Sequence, residues 1–147
     1  MKNIVIIFTT TILFLGGCSF LEDVNNTLNY VDEAREFGNK ANDFADQAPA
    51  LAKEAINDEQ ALNEFENRLD EMKNDIKEFN ELEAPEVGAE LHQKIVDRNE
   101  QALDTIDQFL TNIEDGDLDP SMVENTEAFQ TLAEINNIID QIKKLSE

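Results

Sequence analysis

The chain has 147 residues, with 33 aspartates and glutamates against 11 lysines and arginines and a formal net charge of −22. Phosphate backbones are gripped through basic faces, so this balance excludes a nucleic-acid binder. One cysteine and one histidine supply too few sulfur and nitrogen ligands for zinc and no disulfide framework.

The chain opens with Met1-Lys2-Asn3, a short basic start, and continues through an apolar run from Ile4 to Leu15 softened by Thr9, Thr10 and Thr11. A helix needs about 20 apolar residues to cross ~30 Å of hydrocarbon, so the run reads as a secretory signal and not as a membrane span. Leu15-Gly16-Gly17-Cys18 resembles the lipobox of bacterial lipoproteins. That resemblance implies cleavage between Gly17 and Cys18, a diacylglyceryl group on the Cys18 thiol, and Cys18 as the mature N-terminus. An ordinary secretory signal, or a buried N-terminal strand, leaves a lone thiol to be explained separately. Residues 1–17 are then the cleaved signal peptide and residues 18–147 the lipidated domain. Losing Lys2 with the signal leaves 130 residues with 10 basic and 33 acidic side chains, a net charge of −23. Two acyl chains suffice for stable anchoring at ~0.8 kcal/mol per buried methylene. Repulsion between this body and an anionic surface fades within a Debye length of ~8 Å.

No glycine- or serine-rich linker follows Cys18. Leu21, Val24, Leu28 and Val31 already recur at helical spacing, which places the domain close to the bilayer. Tyr30, Ala34, Phe37, Ala41, Phe44, Ala48, Leu51 and Ala55 then alternate steps of four and three, the narrow seam of a helix packed side by side with others. Pro49 lacks an amide donor and predicts a kink in this first helix or two nearly continuous helices. Asn57-Asp58-Glu59-Gln60 reads as a stop and a new capped start.

A second helix carries Leu62, Phe65, Leu69, Met72, Ile76, Phe79 and Leu82 on one stripe and is expected to end at Ala84-Pro85. The third runs from about Pro85 to Asp115 with a broad face that includes Leu91, Ile95, Ala102, Ile106, Phe109 and Ile113. Asn99 falls within that face and needs a partner if buried. Gly116 reads as a left-handed C-cap. Asp119 and Pro120 read as the N-cap and first position of a last helix, firm from Glu127 to Leu145. No segment alternates like a strand. The prediction is an all-α antiparallel four-helix bundle, its first helix kinked at Pro49.

Each candidate for chemistry fails on spacing or supply. A serine–histidine–acid site has only His92 to build on and no nucleophile elbow. A di-iron bundle needs Glu-x-x-His on two helices, yet Ala89 stands where the glutamate should be and Glu90 is two residues from His92. Asp115, Asp117 and Asp119 alternate like the start of a calcium loop. The sixth and twelfth positions are Pro120 and Thr126, where an EF-hand requires glycine and glutamate. A turn followed by a cap explains the same residues. Neighbouring acids such as Glu81 and Glu83 follow from the abundance of acids, without a cleft or aromatic platform for a hydrolase. The residues therefore predict no enzyme, no metal and no cofactor beyond the covalent lipid.

The stretch from Cys18 to Val31, together with Glu78-Phe79-Asn80 and Asn112-Ile113-Glu114-Asp115-Gly116, resembles an uncharacterised family of small lipoproteins from Bacillus-type Gram-positive bacteria. The resemblance implies a lipoprotein on the outer face of the cell membrane and brings no activity, cofactor or catalytic residue. The leading expectation is a lipid-anchored interaction module for a protein partner at the membrane–wall boundary. The alternative is a binder of cations or cationic peptides, a buffer or decoy that uses the acidic surface.

Overall fold

The computed structural model describes the backbone of residues 17–119 and 127–146 and the side chains of residues 24–119 and 129–145. Four α-helices carry the fold among these residues: α1 Gly17–Ala55, α2 Glu59–Asn80, α3 Ala89–Asp115 and α4 Glu127–Lys143. Single 3₁₀ turns at Glu86–Gly88 and Lys144–Ser146 lead into α3 and out of α4. No strand occurs among the described residues.

Each helix packs on two neighbours, α1 on α2 and α4, and α3 on α2 and α4, which closes a ring around one core. The neighbours run antiparallel. Lys40 meets Asp75 while Phe37 meets Phe79 across α1 and α2, so one number falls as the other rises. Asn80 meets Asn99 while Lys73 meets Asp107 across α2 and α3 in the same sense.

The apolar stripes fill the ring. Phe65, Leu69, Ile76, Ile95, Ile106, Leu132, Ile135, Ile139 and Ile142 are at most 1% exposed. Two aromatic chains cross this aliphatic filling. Toward the loop joining α1 and α2, Phe44 contacts Phe129, Phe129 stacks on Phe109, and Phe109 meets Phe65 edge-on, touching all four helices in turn. At the other end Phe37 stacks on Phe79 at 4.4 Å, Phe79 lies 5.0 Å from the His92 ring, and His92 meets Tyr30 edge-on. Such pairs contribute roughly 0.5–1.5 kcal/mol each beyond their buried area.

The seam of α1 closes the bundle. Ala34, Ala41, Ala48, Ala52 and Ala55 are buried, and their small side chains let the neighbouring helices approach closely. The extreme case is Gly38, where an added Cβ would stand 2.6 Å from Ile139 Cδ1 and 3.0 Å from Asn136 Oδ1 on α4. Glycine in mid-helix costs about 1 kcal/mol of propensity against alanine. Here that cost is offset by the contact α4 makes with bare backbone.

Local signals set the element boundaries. The Asp58 carboxylate accepts from the Ala61 amide at 2.8 Å and starts α2, as the capping pattern predicts. Gly116 ends α3 at φ 74°, ψ 20°. Its amide donates to Ile113 and that of Asp117 to Asn112, a complete Schellman motif.

Four expectations need correction. Helix α2 stops at Asn80 and not at Ala84-Pro85. The Glu81 amide is shared between the Lys77 and Glu78 carbonyls and Leu82 bonds to Phe79, so the last turn tightens and ends the helix before proline can. Helix α3 begins at Ala89, because residues 86–88 form the 3₁₀ turn whose closing bond runs from the Gly88 amide to the Pro85 carbonyl. Helix α1 is continuous through Pro49, yet the inward position after it is Ala52, fully buried, while Leu51 is only half-buried. Finally Val24 and Leu28 share the spacing of Val31 but are 41% and 45% exposed, against 1% for Val31. Among the described side chains of α1, Tyr30 and Val31 are the first to be buried. The expected cap at Asp119-Pro120 cannot be followed, because Pro120 lies outside the described residues.

Gly38→Val should lower stability by roughly 1–3 kcal/mol, the cost of overpacking a tight contact. Urea titration followed by far-UV circular dichroism measures it, with Gly116→Val as a comparison that strains a left-handed cap in open space.

Candidate functional site

Three places could carry function: the head of α1, the histidine end of the bundle, and the groove between α1 and α2. The sequence candidates Leu15 and Gly16 lie outside the described residues. Gly17 and Cys18 form the first residues of α1. From Cys18 the helix runs without a break to Tyr30, the first buried side chain described. Twelve residues at 1.5 Å each set the core about 18 Å from the cysteine. A short helical segment therefore separates the cysteine from the core. No helix among the described residues is long and apolar enough to cross a membrane.

At the base of the bundle, residues far apart in sequence meet. The Tyr30 hydroxyl, on α1, and His92 Nδ1, on α3, are hydrogen bonded at 3.1 Å. Gly88 passes beside Tyr30, and a Cβ there would sit 3.3 Å from the phenol ring. Burial pushes the Tyr30 hydroxyl above its ordinary range. Burial also lowers the His92 imidazole, while a bond with the backbone of Asn80 pulls the other way. A phenol that resists ionising, held on an imidazole packed against Phe79, is a structural clasp between α1 and α3. It offers no activated nucleophile.

A second buried polar contact lies nearby. Asn99 is fully buried, and its Nδ2 donates to Asn80 Oδ1 at 2.7 Å. The Asn99 Oδ1 finds no partner among the described residues. The need for a partner, visible in the sequence, is thus half met. Asp115 and Asp117 belong to the Schellman turn around Gly116, and all three aspartates of the candidate calcium loop are exposed. Among the described residues no three side chains of histidine, cysteine, aspartate or glutamate are arranged to hold a metal ion.

The groove between α1 and α2 was not anticipated. Three hollows of about 210, 470 and 380 Å³ follow one another along it. The first two share Lys40 and Asp75, and the last two share Asp43, Phe44 and Arg68. The outer edges of Phe37, Phe44, Met72 and Phe79, each at most 8% exposed, form its floor between polar walls. The Lys40 ammonium donates to Asp75 across it at 2.7 Å and is held above its usual range by that contact. The periodicity alone could not reveal the groove, since it depends on which faces of two helices remain uncovered.

Residues 30–145, from the first core residue to the last turn, match the model of a family of unknown function, DUF6376. The chain belongs to that family. Within the curated proteins it is 35% identical over 136 residues to the uncharacterized lipoprotein YybP of Bacillus subtilis (strain 168), covering 92% of each chain. No solved structure matches it. The family's description assigns no activity to DUF6376, and its matched span begins after the cysteine.

Two measurements test the buried polar groups. Lowered in the fold, the His92 imidazole takes up its proton less readily than in the unfolded chain, where it titrates near ~6.5. Its contribution is fully present above that value and is lost as pH falls through the folded-state value. Stability from urea titration should therefore decline as pH falls from about 7 to 5, and His92→Gln should remove part of that slope. Replacing Asn99 by leucine should be neutral or stabilising by up to about 1 kcal/mol, since one amide oxygen is already orphaned. Asn99→Asp should lose several kcal/mol at neutral pH by burying a charge, and regain part of it in acid.

Proposed function

We propose that the chain is a lipid-anchored, non-catalytic interaction module on the outer face of the cell membrane. Residues 1–17 are removed and Cys18 carries a diacylglyceryl thioether. The observation that carries the reading is the place of Cys18, at the end of a lipobox-like Leu15-Gly16-Gly17 and in the first turn of a helix that continues unbroken into the core. The Bacillus subtilis relative is named a lipoprotein, which supports the same reading.

The mechanism is tethering. A linkerless helical post fixes the height and limits the tumbling of the body. Confinement near a surface raises the effective concentration of a partner without any added contact. The closed core, the clasped histidine and the buried alanines leave the outer surface as the part available for recognition. That surface is acidic, and the groove between α1 and α2 favours the second reading, in which the ligand is a cationic peptide.

Cys18→Ala should leave the protein as an unprocessed precursor or release it from the membrane fraction, with unchanged helicity. Fractionation and intact mass spectrometry read this out. A mutant retained and processed like the parent contradicts the anchor. Crosslinking from the anchored protein in its own envelope tests the module: a stoichiometric protein partner is expected, and none removes the reading.

A further inference from the structure

We infer that the groove between α1 and α2 is a docking site for an amphipathic, positively charged helix. The inference rests on the interaction-module reading and says where on the body the partner binds and what kind of partner it is. From Glu33 to Glu54 along α1 the groove spans about 32 Å, the length of a helix of roughly 20 residues. Its three connected hollows, of about 210, 470 and 380 Å³, are wide enough for side chains to enter. Leu51 and Leu82, both half-buried, extend the apolar floor toward its two ends.

The rim sets the sign of the partner. Nine carboxylates line the hollows, five from α1 and four from α2, against only Lys40 and Arg68. Both cations are already paired, Lys40 with Asp75 and Glu36, and Arg68 with Glu71. The excess runs along both walls for the whole groove and is not gathered at one point. No set of three ligands suited to a metal ion occurs among the described residues. An extended acidic rim over an apolar floor complements a helix with leucine-like residues on one face and lysines or arginines flanking them. Charge at the rim speeds encounter and sets register, and the hollows select for the apolar face.

The experiment uses the lipidated protein in nanodiscs of zwitterionic lipid, with empty discs as blank. The probe is a fluorescein-labelled 18-residue peptide of leucine and lysine with a helical apolar repeat. A scrambled peptide of the same composition without an apolar face serves as its control. Three proteins are compared: the parent, Asp43→Lys with Glu71→Lys on the rim, and Glu100→Lys with Asp104→Lys on the exposed face of α3. All four positions are exposed, and both variants change the net charge equally. Anisotropy titration at physiological salt should show saturable binding of the amphipathic peptide, at least about tenfold tighter than the scrambled one. The rim variant should lose about tenfold or more, and the α3 variant should stay within about threefold of the parent. Asp46→Lys with Glu64→Lys, at the far end of the rim, replaces the first pair if that pair fails to fold. Equal losses in both variants, equal binding of both peptides, or no saturable binding overturns the groove. A crosslinked partner attached elsewhere on the body overturns it too while leaving the module standing.

Discussion

The close approach of α1 to its neighbours is the constraint from which the remaining structure follows. Helix α1 presents mostly alanine and glycine inward, with Tyr30, Phe37 and Phe44 as its large residues. Small side chains bring backbones together but bury little apolar area each. The large residues therefore come from the other three helices, and Ile139 of α4 rests almost on the bare backbone at Gly38. Burial gains about 25 cal/mol per Å² of apolar surface, so the bulk contributed by α2, α3 and α4 supplies most of the driving force. Helix α1 supplies the geometry.

The acidic surface is tolerated because the core is closed. Ion pairs bridge neighbouring helices at Lys40 with Asp75, Lys73 with Asp107 and Arg98 with Glu134. Their partly exposed positions limit each to well under the energy of a buried phenylalanine. They orient the helices more than they hold them. With so few cations on the chain, most carboxylates remain unneutralised and give the body its solubility and its electrostatic character. The groove between α1 and α2 is where that character coincides with an apolar floor.

Two polar contacts between helices lie at the end of the bundle where α1 enters it. Tyr30 and His92 join α1 to α3, while Asn80 and Asn99 join α2 to α3. Hydrogen bonds within an apolar interior have few alternative partners, so they specify one register among several that apolar stripes would accept.

How much of this was legible in the amino-acid order depends on the range of the interaction. The stripe Phe65, Leu69, Met72, Ile76 and Phe79, the cap at Asp58, the left-handed end at Gly116 and the motif ending in Cys18 are all local. They follow from a period of 3.6 residues, a single carboxylate, a missing side chain and a short run of residue types. The order of residues alone determined four helices, their antiparallel connection and a lipobox-like run that ends in Cys18. Only the folded chain decided that Ala52 and not Leu51 turns inward past Pro49, that Val24 and Leu28 stand uncovered, and that His92 belongs to Tyr30. It also decided which pair of helices leaves a groove. Those outcomes depend on where neighbouring helices end and how near they come, and residues dozens of positions apart carry no periodic signal of each other.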